Sequence, residues 1–205
     1  MNFYDICKLA LDIFIAIVAM VILSPVFVAI FIIIKFSSKG PVIFRQERAG
    51  KNSRPFIFYK FRTMKPDVEP FGPSPKSGQD SRLTKVGKFL REYSLDELPQ
   101  LFNILKGDMS IVGPRPLYIS QIPEWNERQN KRLLVKPGLT GLAQIEGRAE
   151  LTREEKLEFD VKYVETTSLL TDIMIMLATI AYVFKRKNIY EKSYSQTEYT
   201  RGQSK

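Results

Sequence analysis

Between Ile13 and Ile34, 20 of 22 residues are apolar, and the two exceptions, Ser24 and Pro25, are neighbours. A straight helix of that length reaches about 33 Å at ~1.5 Å per residue, enough for a bilayer core of ~30 Å. Asp12 opens the run and no small-x-small pattern follows it, which sets it apart from a cleaved leader. Pro25 cannot donate to the carbonyl of Val21, its ring crowds that turn, and Ser24 is pushed away from helical dihedrals. The Ser24 hydroxyl is a natural partner for the freed backbone group. Three arrangements fit: a kinked single span, a buried core helix, and a broken helix that enters one leaflet and returns to the same face. Length disfavours the core helix. Lys8 precedes the run and Lys35 and Lys39 follow it, so flanking charge does not separate span from hairpin. On these grounds alone the simple span is favoured.

The residue types present narrow the chemistry. The 205-residue chain has 31 Lys plus Arg against 22 Asp plus Glu, a net charge of +9, no His and one cysteine, Cys7. Ser-His-Asp and Cys-His catalysis, imidazole metal sites, disulfides and thiolate cages are thereby excluded. What remains is carboxylate, Lys, Arg, Tyr and hydroxyl chemistry, or a hard cation held by oxygens. From Lys35 to Lys65 there are nine basic residues and one acidic residue, Glu47, so this stretch alone carries +8. Beside an apolar run it reads as cytoplasmic and drawn to anionic headgroups, and it would concentrate anionic substrates. A solvated basic surface is the plain alternative. Phe56, Phe58, Tyr59 and Phe61 interleave with the charges, as in base-stacking platforms, but a half-buried strand produces the same alternation more often.

The rest of the chain reads as α+β and mostly helical. Strands are expected at 41–46 and 55–62, a mobile loop at 65–82, and helices near 84–93, 97–106, 119–133 and 152–165. A turn at 136–141 precedes an expected short strand near 142–146. Ser168 to Phe184 has helical apolar spacing and fits either an interfacial amphipathic helix or a core helix. The tail from Tyr190 is polar and reads as disordered.

Two stretches stand out as candidate sites. In Ser94-Leu95-Asp96-Glu97-Leu98-Pro99, Ser94 and Glu97 match a capping box, which would put Asp96 and Glu97 at the positive end of a helix. Alone, that is ordinary helix-start charge. In Gly113-Pro114-Arg115-Pro116 a guanidinium sits in a stiff loop suited to bidentate phosphate binding; a solvated turn is the plain reading. Gly147-Arg148 repeats the theme. Neither GxxxxGK[ST] nor GxGxxG occurs.

Taken together, Ser94 to Leu101, Asn103, Lys106 to Ser110, Val112 to Pro116, Phe44-Arg45-Gln46, Tyr59 to Met64, Lys136 to Gly141, Gln144, Gly147-Arg148 and Asp160-Val161-Tyr163-Val164 closely resemble the bacterial sugar transferase family. These are monotopic polyprenol-phosphate phosphoglycosyl transferases. The short length is most similar to the small members that begin a lipid-linked glycan for protein glycosylation. The resemblance reverses the preference for a span. It implies a re-entrant membrane helix-break-helix over 1–39, broken at Ser24-Pro25, a catalytic domain over 40–188 with short strands and interfacial amphipathic helices, and a polar tail over 189–205. It implies transfer of a hexose 1-phosphate from a UDP-sugar to polyprenyl (undecaprenyl) phosphate, with release of UMP, at the cytoplasmic face of the bacterial inner membrane. The sugar expected is N-acetylated or diacetamido.

By the same resemblance Asp96 is the nucleophile that becomes an aspartyl-phosphosugar, and Glu97 binds Mg²⁺ with Asp96 or prepares the acceptor. Arg62, Arg91, Arg115, Arg148 and Asp160 contact substrate. Membrane lipids are partners, downstream glycosyltransferases are possible partners, and nucleic acid is not one. A basic membrane-anchored scaffold or nucleic-acid-binding protein is the rival; it needs the charge but not Asp96.

Overall fold

The computed structural model describes residues 3–68, 75, 77–185 and 190. Helix α1 spans Phe3–Ser37, 35 residues or about 52 Å at ~1.5 Å per residue. The expected break at Ser24-Pro25 is not an interruption: α1 continues through it with Pro25 inside. The reason is local. The Val21 carbonyl that Pro25 cannot serve accepts a 2.8 Å hydrogen bond from Ser24 Oγ.

One face of α1 lies against the rest of the chain along its whole length. Near the N-terminus Lys8 Nζ reaches Asp172 Oδ2 at 2.8 Å, and Asp12 Oδ1 accepts from the Ile111 amide at 3.0 Å. Ala16 is fully buried. Past the proline, Phe27 meets Phe61 at 5.7 Å and Phe102 edge-on at 6.3 Å, and Ile30 and Ile34 join Val42, Phe61 and Leu90. The far end is closed by Arg62, whose guanidinium donates to the Lys39 carbonyl at 2.8 Å, the Ser38 carbonyl at 2.9 Å and Ser38 Oγ at 2.8 Å. The other face of α1 is exposed and apolar, including Phe14, Val21, Ile22, Phe31 and Phe36.

Strands β1 (Ile43–Ala49) and β2 (Pro55–Phe61) form the expected hairpin, in register from Ile43↔Phe61 to Ala49↔Pro55. Phe56 and Phe58 point into the main core with Leu101, Ile104, Met109 and Val112, each such burial contributing roughly 1.5–3 kcal/mol. Helix α2 (Lys85–Glu92) packs on the chain after β2. Its Thr84 cap accepts from the Gly87 amide at 2.8 Å, and a Cβ at Gly87 would lie 1.9 Å from the Thr63 carbonyl oxygen. A single 3₁₀ turn, Leu95–Glu97, then leads into α3 (Gln100–Leu105). Asn103 bolts α3 to β2: its amide donates to the Ile57 carbonyl at 2.6 Å and accepts from the Tyr59 amide at 3.1 Å.

A second, parallel pair joins β3 (Ser110–Val112) to β4 (Gly138–Thr140). The short strand is therefore 138–140 rather than 142–146. Leu142–Glu146 is helix α5, which turns the run's apolar residues onto the two helices that follow it in the chain. Gly138 is required by this crossing, since a Cβ there would lie 2.1 Å from the Gly113 nitrogen. Between β3 and β4 the expected helix over 119–133 is broken into the 3₁₀ turn Ile119–Glu124, α4 (Glu127–Asn130) and the turn Lys131–Leu134. Helix α6 (Arg153–Glu165) begins at a Thr152/Glu155 capping box, and α7 (Leu169–Lys185) follows. On α7, Asp172 and Ile175 are buried while Leu170, Ile173, Met174, Leu177 and Ile180 are exposed at helical spacing. That is the interfacial alternative, with the apolar stripe outward. Of the expected mobile loop, residues 69–74 and 76 lie outside the described residues, as do 186–188 of the expected catalytic domain and 189 and 191–205 of the tail; the Tyr190 hydroxyl lies near Gly78.

Asp172 also accepts from Tyr163 Oη at 2.7 Å and Tyr4 Oη at 3.0 Å, so one buried carboxylate joins α1, α6 and α7. Replacing Lys8 with Met leaves that charge without its cation. The expected cost is roughly 3 kcal/mol, read as a lowered melting temperature in detergent; an unchanged melting temperature would show that the tie is not a structural support.

Candidate active site

Asp96 is 5 % exposed and lies in the 3₁₀ turn between α2 and α3. Among the described residues no hydrogen bond reaches its carboxylate. Burial pushes its carboxyl above the ordinary aspartate value, Glu97 adds to that, and Lys60, Arg91 and Arg115 pull against it. Glu97 has the opposite outcome. Burial acts upward on it too, but the charge and the 2.6 Å hydrogen bond of Arg115 Nη2, with Arg148 and Lys60, hold it below the usual glutamate value. Neighbouring carboxyls pushed apart in this way can take different tasks.

The cations arrive from separate elements. Arg91 is set by α2, its Nε donating to Thr63 Oγ1 at 3.0 Å. Arg115 follows β3. Arg148 Nη2 donates to Ser94 Oγ at 2.8 Å across 54 residues. Ser94 and Arg148 both adopt left-handed backbone, φ 57° and 55°, a conformation that costs a non-glycine residue on the order of 1 kcal/mol. The expected capping box is therefore absent: the Ser94 side chain serves Arg148 and Glu97 serves Arg115. With α3 only six residues long, the site's positive field comes from these side chains rather than from a helix end.

Two expected substrate contacts have structural partners of their own. Arg62 closes the end of α1, through the three bonds given above. Asp160, 3 % exposed, gives Oδ2 to Arg132 Nε at 3.0 Å and Nη2 at 2.7 Å. Lys60 joins the charges acting on Asp96, and Thr63 and Ser94 hold Arg91 and Arg148; the sequence reading did not give these residues those parts. Lys60 had a signal: strand alternation puts it on the inward face with Phe56 and Phe58. Burial, with Arg91 adding to it, pushes the Lys60 ammonium down to about 8, against the opposing pull of Asp96 and Glu97. Among the described residues no group of three or more acidic or cysteine side chains gathers to cage a metal. Two adjacent carboxylates do fit a cation that takes its remaining ligands from phosphate and water, as Mg²⁺ does.

Fold and site together define a membrane-anchored α+β domain in which an acidic pair is ringed by cations. The family profile described as bacterial sugar transferase matches residues 3–186, and the chain belongs to that family. It is 43 % identical over 200 residues to the galactosyl transferase CpsE of Streptococcus agalactiae, covering 89 % of this chain and 44 % of CpsE. It is 42 % identical over 166 residues to the uncharacterized sugar transferase EpsL of Bacillus subtilis, covering 81 % of each. It is also 42 % identical over 191 residues to the UDP-glucose:undecaprenyl-phosphate glucose-1-phosphate transferase of Escherichia coli, covering 89 % of this chain and 41 % of that protein. The chain thus spans less than half the length of CpsE and of the E. coli relative.

Competitive acetylation of the folded protein across pH 6–11 should give Lys60 a midpoint near 8, against ~10.4 for an ordinary lysine. Asp96→Asn removes an opposing anion and should lower that midpoint further. A midpoint above 10 would contradict the packing described here.

Proposed function

We propose that the chain transfers a hexose 1-phosphate from a UDP-sugar to polyprenyl phosphate. A carboxylate oxygen of Asp96 attacks the β-phosphorus. The bond from that phosphorus to the bridging oxygen breaks, and UMP leaves with the electron pair. A phosphate oxygen of the polyprenyl phosphate then attacks the same phosphorus, Asp96 departs as carboxylate, and a polyprenyl-diphosphate sugar is formed. One phosphoanhydride replaces another, so the task is to bring anions together. Arg115, Arg91, Arg148 and Lys60 supply positive charge in a low-dielectric setting, where it acts strongly. Arg115 exchanges Glu97 for the diphosphate, and Glu97, freed, receives the acceptor. Asp96 and Glu97 are also the residues that would hold Mg²⁺. Bound there, it would neutralise charge on the transferred phosphoryl group.

The observation that carries this reading is the state of Asp96: buried, uncommitted to a hydrogen bond among the described residues, and within the field of three cations. A structural carboxylate at 5 % exposure would be paired or multiply hydrogen-bonded. The relatives' names support the reaction class, and together they span galactose, glucose and N-acetylgalactosamine. The N-acetylated or diacetamido sugar expected here rests on the resemblance to the small family members alone.

The fastening of α1 supports a placement in the bilayer. Its two ends are tied to one domain, at Asp172 and Ile111 and at Arg62. A span would put those ends on opposite sides of ~30 Å of hydrocarbon. We therefore place α1 as a re-entrant or in-plane anchor, with both ends and the catalytic domain on the cytoplasmic face.

UMP release by detergent-solubilised protein with Mg²⁺, undecaprenyl phosphate and a panel of UDP-sugars should identify the donor. Asp96→Asn should lower that rate by about 10³-fold or more, as expected for loss of a nucleophile; a rate left intact would return the chain to the scaffold reading. Acidification should abolish wild-type release at a pH above the ordinary ~3.9 of aspartate, because Asp96 must be ionised and burial raises it. With Cys7 replaced by Ser, single cysteines at positions 5 and 79 should react with an impermeant maleimide from the cytoplasmic side only. Labelling of position 5 from outside would restore the span.

A further inference from the structure

The loop that presents Arg115 is gripped through four consecutive carbonyls by donors from three separate parts of the chain. The Pro114 carbonyl accepts from the Gly138 amide at 2.9 Å, and the Leu117 carbonyl from the Ala49 amide at 2.9 Å. Between them, the Pro116 carbonyl accepts from Arg48 Nη1 at 3.5 Å and the Arg115 carbonyl from Arg132 Nη2 at 2.5 Å. The bond at Arg115 itself is the shortest of the four and comes from a side chain.

That side chain is buried and aimed. Arg132 is 4 % exposed, forks onto Asp160 Oδ2 with Nε and Nη2, and lies over the Trp125 ring at 4.9 Å. Asp160 stands on α6, whose Tyr163 Oη donates to the Val112 carbonyl at 3.1 Å, one residue before Gly113. So α6 holds the entry to the loop directly and its centre through Arg132. Stability alone does not call for charge here, since a buried ion pair can be exchanged for well-packed apolar groups with little loss. What an apolar pair lacks is a donor for the Arg115 carbonyl. A small rotation of that peptide is magnified along the arginine side chain, and misplacing a binding group by ~1 Å can cost ~10²-fold in rate.

We propose that Arg132, oriented by Asp160, is a positioning residue for the transfer reaction. It fixes the main chain of Arg115 so that the Arg115 guanidinium meets Glu97 and the donor diphosphate. The proposal rests on the phosphosugar-transfer reading above and assigns Asp160 a role through Arg132 rather than on substrate.

A mutant cycle tests it. Arg132→Lys keeps a cation facing Asp160 but loses the fork. The double variant Arg132→Met/Asp160→Leu removes both charges and fills the volume, so folding does not depend on an orphaned ion. In the wild-type background kcat/KM for UMP release should fall about tenfold for Arg132→Lys and about 100-fold for the double variant, with both melting cooperatively. In an Arg115→Ala background either change should cost less than about twofold more, because its path of action is already gone. A full additional loss in that background overturns the proposal. Hydrogen exchange provides a readout that needs no turnover: Arg132→Lys should speed exchange of the Arg115 and Leu117 amides about tenfold and leave the β1–β2 hairpin unchanged. Unaltered exchange there overturns it even if activity drops. A wild-type protein that releases no UMP refutes the reaction, while exchange still decides whether Arg132 holds the loop.

Discussion

A carboxylate taken out of water must be compensated, and at Asp96 the compensation comes from cations that the fold delivers one by one. Lys60 comes on β2, Arg91 on α2, and Arg115 on the loop after β3. The compensation is incomplete: the Asp96 carboxyl stays raised while the Glu97 carboxyl, with Arg115 in contact, is lowered. That inequality is what separates the two adjacent acids chemically. In the proposed reaction the first would serve as nucleophile, and the second as the resting partner of the arginine that meets the donor.

Nothing in the short segments around the site is rigid alone. A 3₁₀ turn, a six-residue helix and a proline-flanked loop gain definition from elsewhere. Asn103 ties α3 to the backbone of β2 and so sets Asp96 against Lys60. Gly87 lets α2 approach Thr63 closely enough for Arg91 to be fixed. Gly113 and Gly138 let β3 and β4 cross, which launches the Arg115 loop. Helix α1 belongs to the same framework, because Phe27, Ile30 and Ile34 pack on the β2 end and Asp12 on β3. The anchor is thus part of the wall that orders the site.

Much of this was written in local pattern. Alternating Phe56 and Phe58 gave the hairpin, the helical spacing over 152–165 gave α6, and Ser24 beside Pro25 gave the repaired turn in α1. What failed were readings that a distant partner overrides. Ser94 and Glu97 have the spacing of a capping box, yet Arg148 and Arg115, 54 and 18 residues away, take both side chains. Leu142 to Glu146 is too short for periodicity to separate strand from helix. Arg62 and Asp160 also have partners that spacing does not show, the Ser38 and Lys39 carbonyls for one and Arg132 for the other. Arg132 had no signal at all, since its neighbours describe only a basic surface turn.

The central claim is that Asp96 carries the phosphosugar covalently between donor and acceptor. Incubating the protein with a UDP-sugar labelled in the β-phosphate, in the absence of polyprenyl phosphate, and mapping the adduct by mass spectrometry tests it most directly. The account predicts one labelled phosphosugar per active chain on the peptide containing Asp96, discharged on addition of undecaprenyl phosphate and absent in Asp96→Asn. Turnover with acceptor but no protein-bound label, or label on a different residue, would contradict it.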